Sequence, residues 1–128
     1  MKHIPGLGLS KCDSHYKTPI INANKEELFK KDFKPFKVSK SLFAMTAHAI
    51  YSKYDSHNTA THSTIVIKEV IRNHMNFKGI LMSDDISMKS LKYSVEENAL
   101  KALHAGCNLV LHCNGNIREM SKLIKVIP

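Results

Sequence analysis

An α/β fold in which parallel strands alternate with single helices is what this sequence predicts, and three observations carry that reading. Short apolar runs at residues 42–45, 79–82 and 108–111 each have the length of a buried strand. Between them lie stretches whose apolar residues recur at three- and four-residue spacing, as one helical face requires. Helix start signals stand before several of these stretches, and a glycine closes one of them. Strands separated in this way by single helices imply βαβ units, because a parallel neighbour is reached only by a crossover.

Taken in order, residues 5–18 form a loop rich in Gly, Pro, Ser and Asp. Asn24 with Glu27 three residues later resembles a capping box, opening a helix that carries Leu28 and Phe29 and reaches about Phe33. Pro35 forces a break or a new first turn, with Phe36 and Val38 expected to face inward. Leu42-Phe43-Ala44-Met45 is the first strand, running into Thr46-Ala47-His48. From Thr64, the spacing of Ile67, Val70, Ile71 and Met75 predicts a helix, and Gly79-Ile80-Leu81-Met82 is the next strand. It leads directly into Ser83-Asp84-Asp85. Ser94 and Glu97 make a second capping box, the helix through Ala99, Leu100 and Leu103 stops at Gly106, and Asn108-Leu109-Val110-Leu111 is a third strand. A last helix starts near Asn116. Periodicity does not separate an open doubly wound sheet from part of a (β/α)8 barrel. In either, chemistry gathers at the C-terminal ends of the strands, where His48, Asp84 and His112 fall.

At 128 residues with 43% hydrophobic content, the chain suits one core rather than two, so residues 1–128 are taken as a single domain. No run approaches the roughly 18 to 20 apolar residues of a membrane helix, and Lys2-His3-Ile4-Pro5 is no signal segment. A cytoplasmic protein without a membrane partner is expected. Cys12, Cys107 and Cys113 are odd in number and form no Cys-x-x-Cys pair, which argues for reduced thiols rather than disulfides or a zinc knuckle. The net charge of +8 raises the question of nucleic acid. Only Arg72 and Arg118 among the 19 basic residues are arginine, however, and the lysines are scattered, so a solvated Lys-rich face is the simpler reading.

Two constellations bear on chemistry. Asp13 stands two residues before His15 on the glycine-rich loop, where a carboxylate can fix the imidazole tautomer and favour its protonated form. The same residues also suit an Asx-turn with an exposed histidine. Asp84 and Asp85 end a strand, and adjacent strand residues point to opposite sides, so one can face a substrate while the other bonds the loop. A turn or helix cap is the competing reading there. No metal-ligand spacing joins these carboxylates to His48 or His112, and neither a metal nor a cofactor is expected. His57, His62, His74 and His104 are read as surface or packing residues.

Lys2-His3-Ile4-Pro5-Gly6-Leu7-Gly8, followed after four residues by Asp13-Ser14-His15, resembles the signature loop of the bacterial β-N-acetylglucosaminidases of glycoside hydrolase family 3. The segment from Asn76 to Met88 is similar to that family's nucleophile strand, Met45 to Tyr51 to the strand before it, and Ala105 to Leu111 to the last barrel strand. The resemblance implies the C-terminal part of a (β/α)8 TIM barrel, its front half absent. It implies a retaining β-N-acetylglucosaminidase acting on terminal β-N-acetylglucosamine of muropeptides or anhydro-muropeptides in cell-wall recycling. By that resemblance Asp84 is the nucleophile, His15 the acid/base, Asp13 the residue that orients it, and Lys2 and His3 the ligands of the sugar hydroxyls. A complete barrel takes about 250 residues, so a separately encoded N-terminal half is an implied partner and low activity is expected of this chain alone. A non-catalytic remnant or interaction module of a split glycosidase gene is the alternative. Thr59 stands where the relatives usually have proline, and His62 where they usually have an apolar residue.

Overall fold

The computed structural model describes residues 1–13 and 16–128. Its central sheet is parallel, with β2 (Phe43–Met45), β4 (Ile80–Asp85) and β5 (Leu109–Leu111) side by side in that order. A parallel bridge between Ile4 and Thr46 adds the first residues of the chain beside β2. That edge is held by the Ile4 N–H donating to the Met45 carbonyl at 2.8 Å and the Ala47 N–H to the Ile4 carbonyl at 2.8 Å. The strands thus follow one another across the sheet in chain order, and the expected parallel α/β arrangement is present. A second, two-stranded parallel pair joins β1 (Ile20–Ile21) to β3 (Ile50–Tyr51).

The helices form for the reasons the sequence offers, with differences at their ends. α1 (Lys25–Lys30) starts where Asn24 Oδ1 accepts the Glu27 N–H at 2.8 Å. The reciprocal half of the box is missing, because the Glu27 carboxylate is taken by Lys31 Nζ at 2.8 Å. The helix stops before Phe33, with Lys31 as its C-cap, and Pro35 sits in the first turn of a separate α2 (Lys34–Lys37). Phe36 packs against the core, but Val38 is 71% exposed, a correction to its expected inward orientation. It is the C-cap of α2, just past the last helical residue.

The helix between β2 and β4 spans Val66–His74 and is wound wide, with the Met75 N–H reaching back to Val70 and the Phe77 N–H to Ile71. Val66, Ile67, Val70 and Ile71 are its buried face. α3 (Val95–Ala105) has both halves of its capping box, Ser94 and Glu97. It ends at Gly106, whose φ of +119° is a conformation side chains rarely adopt. α4 (Ile117–Val126) begins at Asn116, whose Oδ1 accepts the N–H groups of Arg118 and Glu119.

These helices cover one face of the sheet. Ala44 and Leu81 lie in the buried cluster with Ile67, Val70, Ile71, Ala102 and Ala105. The opposite face carries Phe43, Ile80 and Leu109, which are 46%, 40% and 49% exposed. Register puts them on that one side, since Phe43 pairs with Ile80, and Met82, two residues on from Ile80, pairs with Leu109. At the N-terminal end of β4 the strands meet closely. A Cβ on Gly79 would lie 2.2 Å from the Leu42 carbonyl oxygen, so only glycine fits there. The Arg72 guanidinium closes this end, donating to the carbonyls of Phe77 and Gly79 and to Asn108 Oδ1.

Candidate active site

The C-terminal ends of the strands gather the polar residues. At the end of β4 the ladder is irregular: Met82 pairs with Leu109 but Asp85 with Leu111, so three steps on one strand match two on the other. The Ser83 hydroxyl fills the gap by accepting the Leu111 N–H at 3.0 Å. Such a bulge re-aims side chains, and here it separates the two carboxylates. Asp85 is committed to the loops. Its Oδ1 accepts the N–H of Ser87 at 3.0 Å and of Cys113 at 3.1 Å, and the Ser87 hydroxyl lies 2.8 Å from the same carboxylate.

Asp84 is turned elsewhere. Its Oδ1 accepts the Asp85 N–H at 2.8 Å, and its Oδ2 lies 3.4 Å from His3 Nε2, with the two side chains 16% and 26% exposed. The carboxylate and imidazole therefore meet at the rim, still open to solvent. Lys2, next along the same strand edge, is exposed.

Beneath this rim lies a buried polar chain. His48 Nε2 is 2.9 Å from the Asp85 carbonyl and its Nδ1 is 2.7 Å from the Thr61 hydroxyl, which is in turn 2.8 Å from the Thr46 hydroxyl. Burial pushes the His48 imidazole below the ordinary histidine range, against the opposing pull of the Asp85 carbonyl and of the Asp84 and Asp85 carboxylates. On the far side, at the end of β5, His112 Nε2 bonds Glu119 at 2.8 Å, and this bond is the main reason the Glu119 carboxyl is held below its usual value.

The loop from Pro5 to Thr18 is fastened at its two ends. Near its start the Leu9 N–H donates to Asp32, a buried carboxyl whose pKa burial raises, and the Tyr51 hydroxyl donates to the Gly6 carbonyl. Near its end the Thr18 hydroxyl donates to the Ser90 carbonyl, in the loop that follows Asp84. Asp13 is exposed, and its carbonyl accepts the N–H groups of Tyr16 and Lys17. His15 lies outside the described residues.

Asp84 and His3 are thus together, Lys2 adjoins His3 in sequence, Asp13 lies on the loop from Pro5 to Thr18, and His112 is bonded to Glu119. The buried Thr46, Thr61 and Asn98 were not singled out from sequence. Asn98 holds the loop after β4, its amide donating to the carbonyls of Ile86 and Tyr93, each at 3.1 Å. His62, read from sequence as a surface or packing residue, has its Nε2 3.2 Å from the Asn98 carbonyl. Among the described residues no group of three His, Cys, Asp or Glu side chains could hold a metal. Among the described residues no helix is long and apolar enough to cross a membrane.

Comparison with known proteins agrees with this picture. A beta-hexosaminidase of Actinobacillus pleuropneumoniae serotype 5b is 43% identical over 88% of this chain and 34% of its own length. One from Haemophilus influenzae strain PittEE is 41% identical over 98% of the chain and 36% of its own. The chain therefore spans about a third of the length of the curated relatives it matches. Among solved structures, a glycoside hydrolase family 3 beta-N-acetylglucosaminidase from Paenibacillus sp. str. FPU-7 superposes with a TM-score of 0.89 at 28% identity, over 98% of this chain and 25% of that one. NagZ from Neisseria gonorrhoeae, in complex with N-trifluoroacetyl-D-glucosamine, gives 0.83 at 30% identity, over 98% of this chain and 38% of that one. The model of the glycosyl hydrolase family 3 N terminal domain matches residues 1–128, and the chain belongs to that family.

Proposed function

We propose that this chain is the C-terminal part of a (β/α)8 barrel that acts as a retaining β-N-acetylglucosaminidase. The observation that carries the reading is the division of labour at the end of β4: Asp85 is bonded into the loops, while Asp84 stays partly exposed beside His3. A carboxylate in that situation can attack an anomeric carbon. Asp84 Oδ2 forms the bond to C1 as the glycosidic C–O bond breaks, and His15, oriented by Asp13, protonates the departing oxygen. The same imidazole then takes a proton from water as water displaces Asp84, so protons and charge balance over the cycle. Lys2 and His3 bind the sugar hydroxyls.

An unperturbed histidine titrates near about 6.5, so a neighbouring carboxylate keeps more of the acid form at neutral pH. Terminal β-N-acetylglucosamine on muropeptides or anhydro-muropeptides is the proposed substrate, in the cytoplasm, as a step of cell-wall recycling. The exposed Phe43, Ile80 and Leu109 favour a covering component, the front half of the barrel, without which turnover is weak or absent.

The test is to incubate the chain, alone and mixed with a family front half, with a fluorinated N-acetylglucosaminide and map the adduct by mass spectrometry. A glycosyl ester on Asp84 that is absent in Asp84→Asn is the expected result. No adduct in either form, or one on Asp85, contradicts the assignment.

A further inference from the structure

We propose that His48 is a positioning residue for Asp84: a buried run of hydrogen bonds from Thr46 through Thr61 and His48 fixes the Asp85 carbonyl, and so the direction in which the preceding carboxylate leaves the strand. The inference rests on the reading of Asp84 as nucleophile, and gives a role to a histidine that the reaction itself does not use.

Thr46, His48 and Thr61 are 0%, 1% and 0% exposed, too deep for a substrate to touch. The chemistry of the chain fixes its polarity. A carbonyl only accepts, so at 2.9 Å from the Asp85 oxygen His48 Nε2 carries the proton. In the neutral ring Nδ1 is then an acceptor, filled by the Thr61 hydroxyl at 2.7 Å, and the Thr61 oxygen takes the Thr46 hydroxyl at 2.8 Å. The Ala47 carbonyl, 3.2 Å from the Thr61 hydroxyl, competes for the same proton, and the shorter approach is to Nδ1.

What this chain holds is the part of β4 that the sheet holds least well. Between Met82 and Asp85 the ladder to β5 is irregular, and side chains replace strand neighbours: Ser83 for the Leu111 N–H on one side, His48 for the Asp85 carbonyl on the other. Asp84 lies between those two supports, its own Oδ1 bonded to the Asp85 N–H. The carbonyl that His48 holds and the N–H that Asp84 Oδ1 accepts lie on either side of the Asp85 Cα, so fixing the carbonyl restricts rotation about Asp85 and, through its N–H, the seat of the Asp84 carboxylate. A displacement of about 1 Å at a reacting group can cost on the order of 100-fold in rate.

The test compares the full chain with His48→Gln, which keeps a donor near the Nε2 position, and His48→Phe, which keeps the ring shape without one. Imidazole 15N spectra of the wild type are expected to show His48 as the neutral Nε2–H tautomer. Asp84 and Asp85 backbone and carboxyl signals are expected to stay in place in His48→Gln and move in His48→Phe. Labelling of Asp84 by the fluorinated sugar, in the reconstituted protein, is expected to slow about 100-fold in His48→Phe and to recover in His48→Gln. An Nδ1–H tautomer, or unmoved Asp84 and Asp85 signals in a folded His48→Phe chain, overturns the proposal. If His48→Phe does not fold, His48→Gln decides: wild-type signals support the proposal and displaced ones refute it. A wild type that takes no label defeats the nucleophile reading, and the spectra alone then decide the role of His48.

Discussion

His62 is half-buried against α3, and burial, with smaller contributions from His48 and Lys101, lowers its pKa from 6.5 to about 4. The folded state therefore resists a proton that the unfolded chain accepts. Above pH 6.5 both states are neutral at this ring and nothing is lost. As pH falls through 6.5 toward 4 the unfolded state alone gains the proton, and the folded state loses about 2 to 3 kcal/mol relative to it. Denaturant melts at pH 7 and 4.5 are expected to show this loss, and His62→Leu to remove most of it; equal losses in both chains would place the acid sensitivity elsewhere. At Thr59 the backbone has φ −64° and ψ 160°, and among the described residues its N–H has no acceptor and its buried hydroxyl no partner. Proline fits such a site, so Thr59→Pro is expected to stabilise by about 0.5 to 1 kcal/mol, read as a rise of a few degrees in Tm. Sequence alone marks both residues as departures from the family pattern, without the sign of either effect, because the sign depends on what each side chain meets: Asn98 for His62, and no partner for the Thr59 hydroxyl.

Elements were legible where a local signal was strong. Ser94, Glu97 and Gly106 delimit α3 because caps and a left-handed stop act within a few residues. The register of β4 was not legible, since it depends on β5, which lies more than 20 residues further along the chain. For the same reason β1 and β3 were missed: two-residue strands have no periodicity to read, and their pairing crosses the whole of α1, α2 and β2. The site followed the same division. Asp84 and His3 were named from their motifs, whereas Thr46 and Thr61 look like ordinary threonines until the fold stacks them under His48. The Ser83 hydroxyl is a test at this scale. Ser83→Ala leaves the Leu111 N–H without its acceptor, at an expected cost of about 1 to 3 kcal/mol, with faster hydrogen exchange at Leu111 as its local mark. Unchanged exchange there would mean that the strands hold one another without it.

For the whole molecule, the decisive asymmetry is that the helices cover one face of a parallel sheet and leave Phe43, Ile80 and Leu109 on the other. Parallel sheets are ordinarily covered on both faces, and bare apolar area of this kind promotes association. Light scattering of the purified chain is expected to show self-association, reduced when Ile80 and Leu109 are replaced by threonine. A monodisperse wild-type monomer would count against it. Composition gave no warning of this, because 43% hydrophobic residues is ordinary for a covered core.

The three-against-two step between β4 and β5 also sets a parity. Remove one codon, that of Ser83, and the ladder from Met82 to Asp85 would run evenly, two steps against two. Asp84 would inherit the inward-pointing slot of the deleted serine and lose its outlet at the rim. A gene could thus retain both aspartate codons and still encode a protein whose Asp84 carboxylate is turned away from solvent.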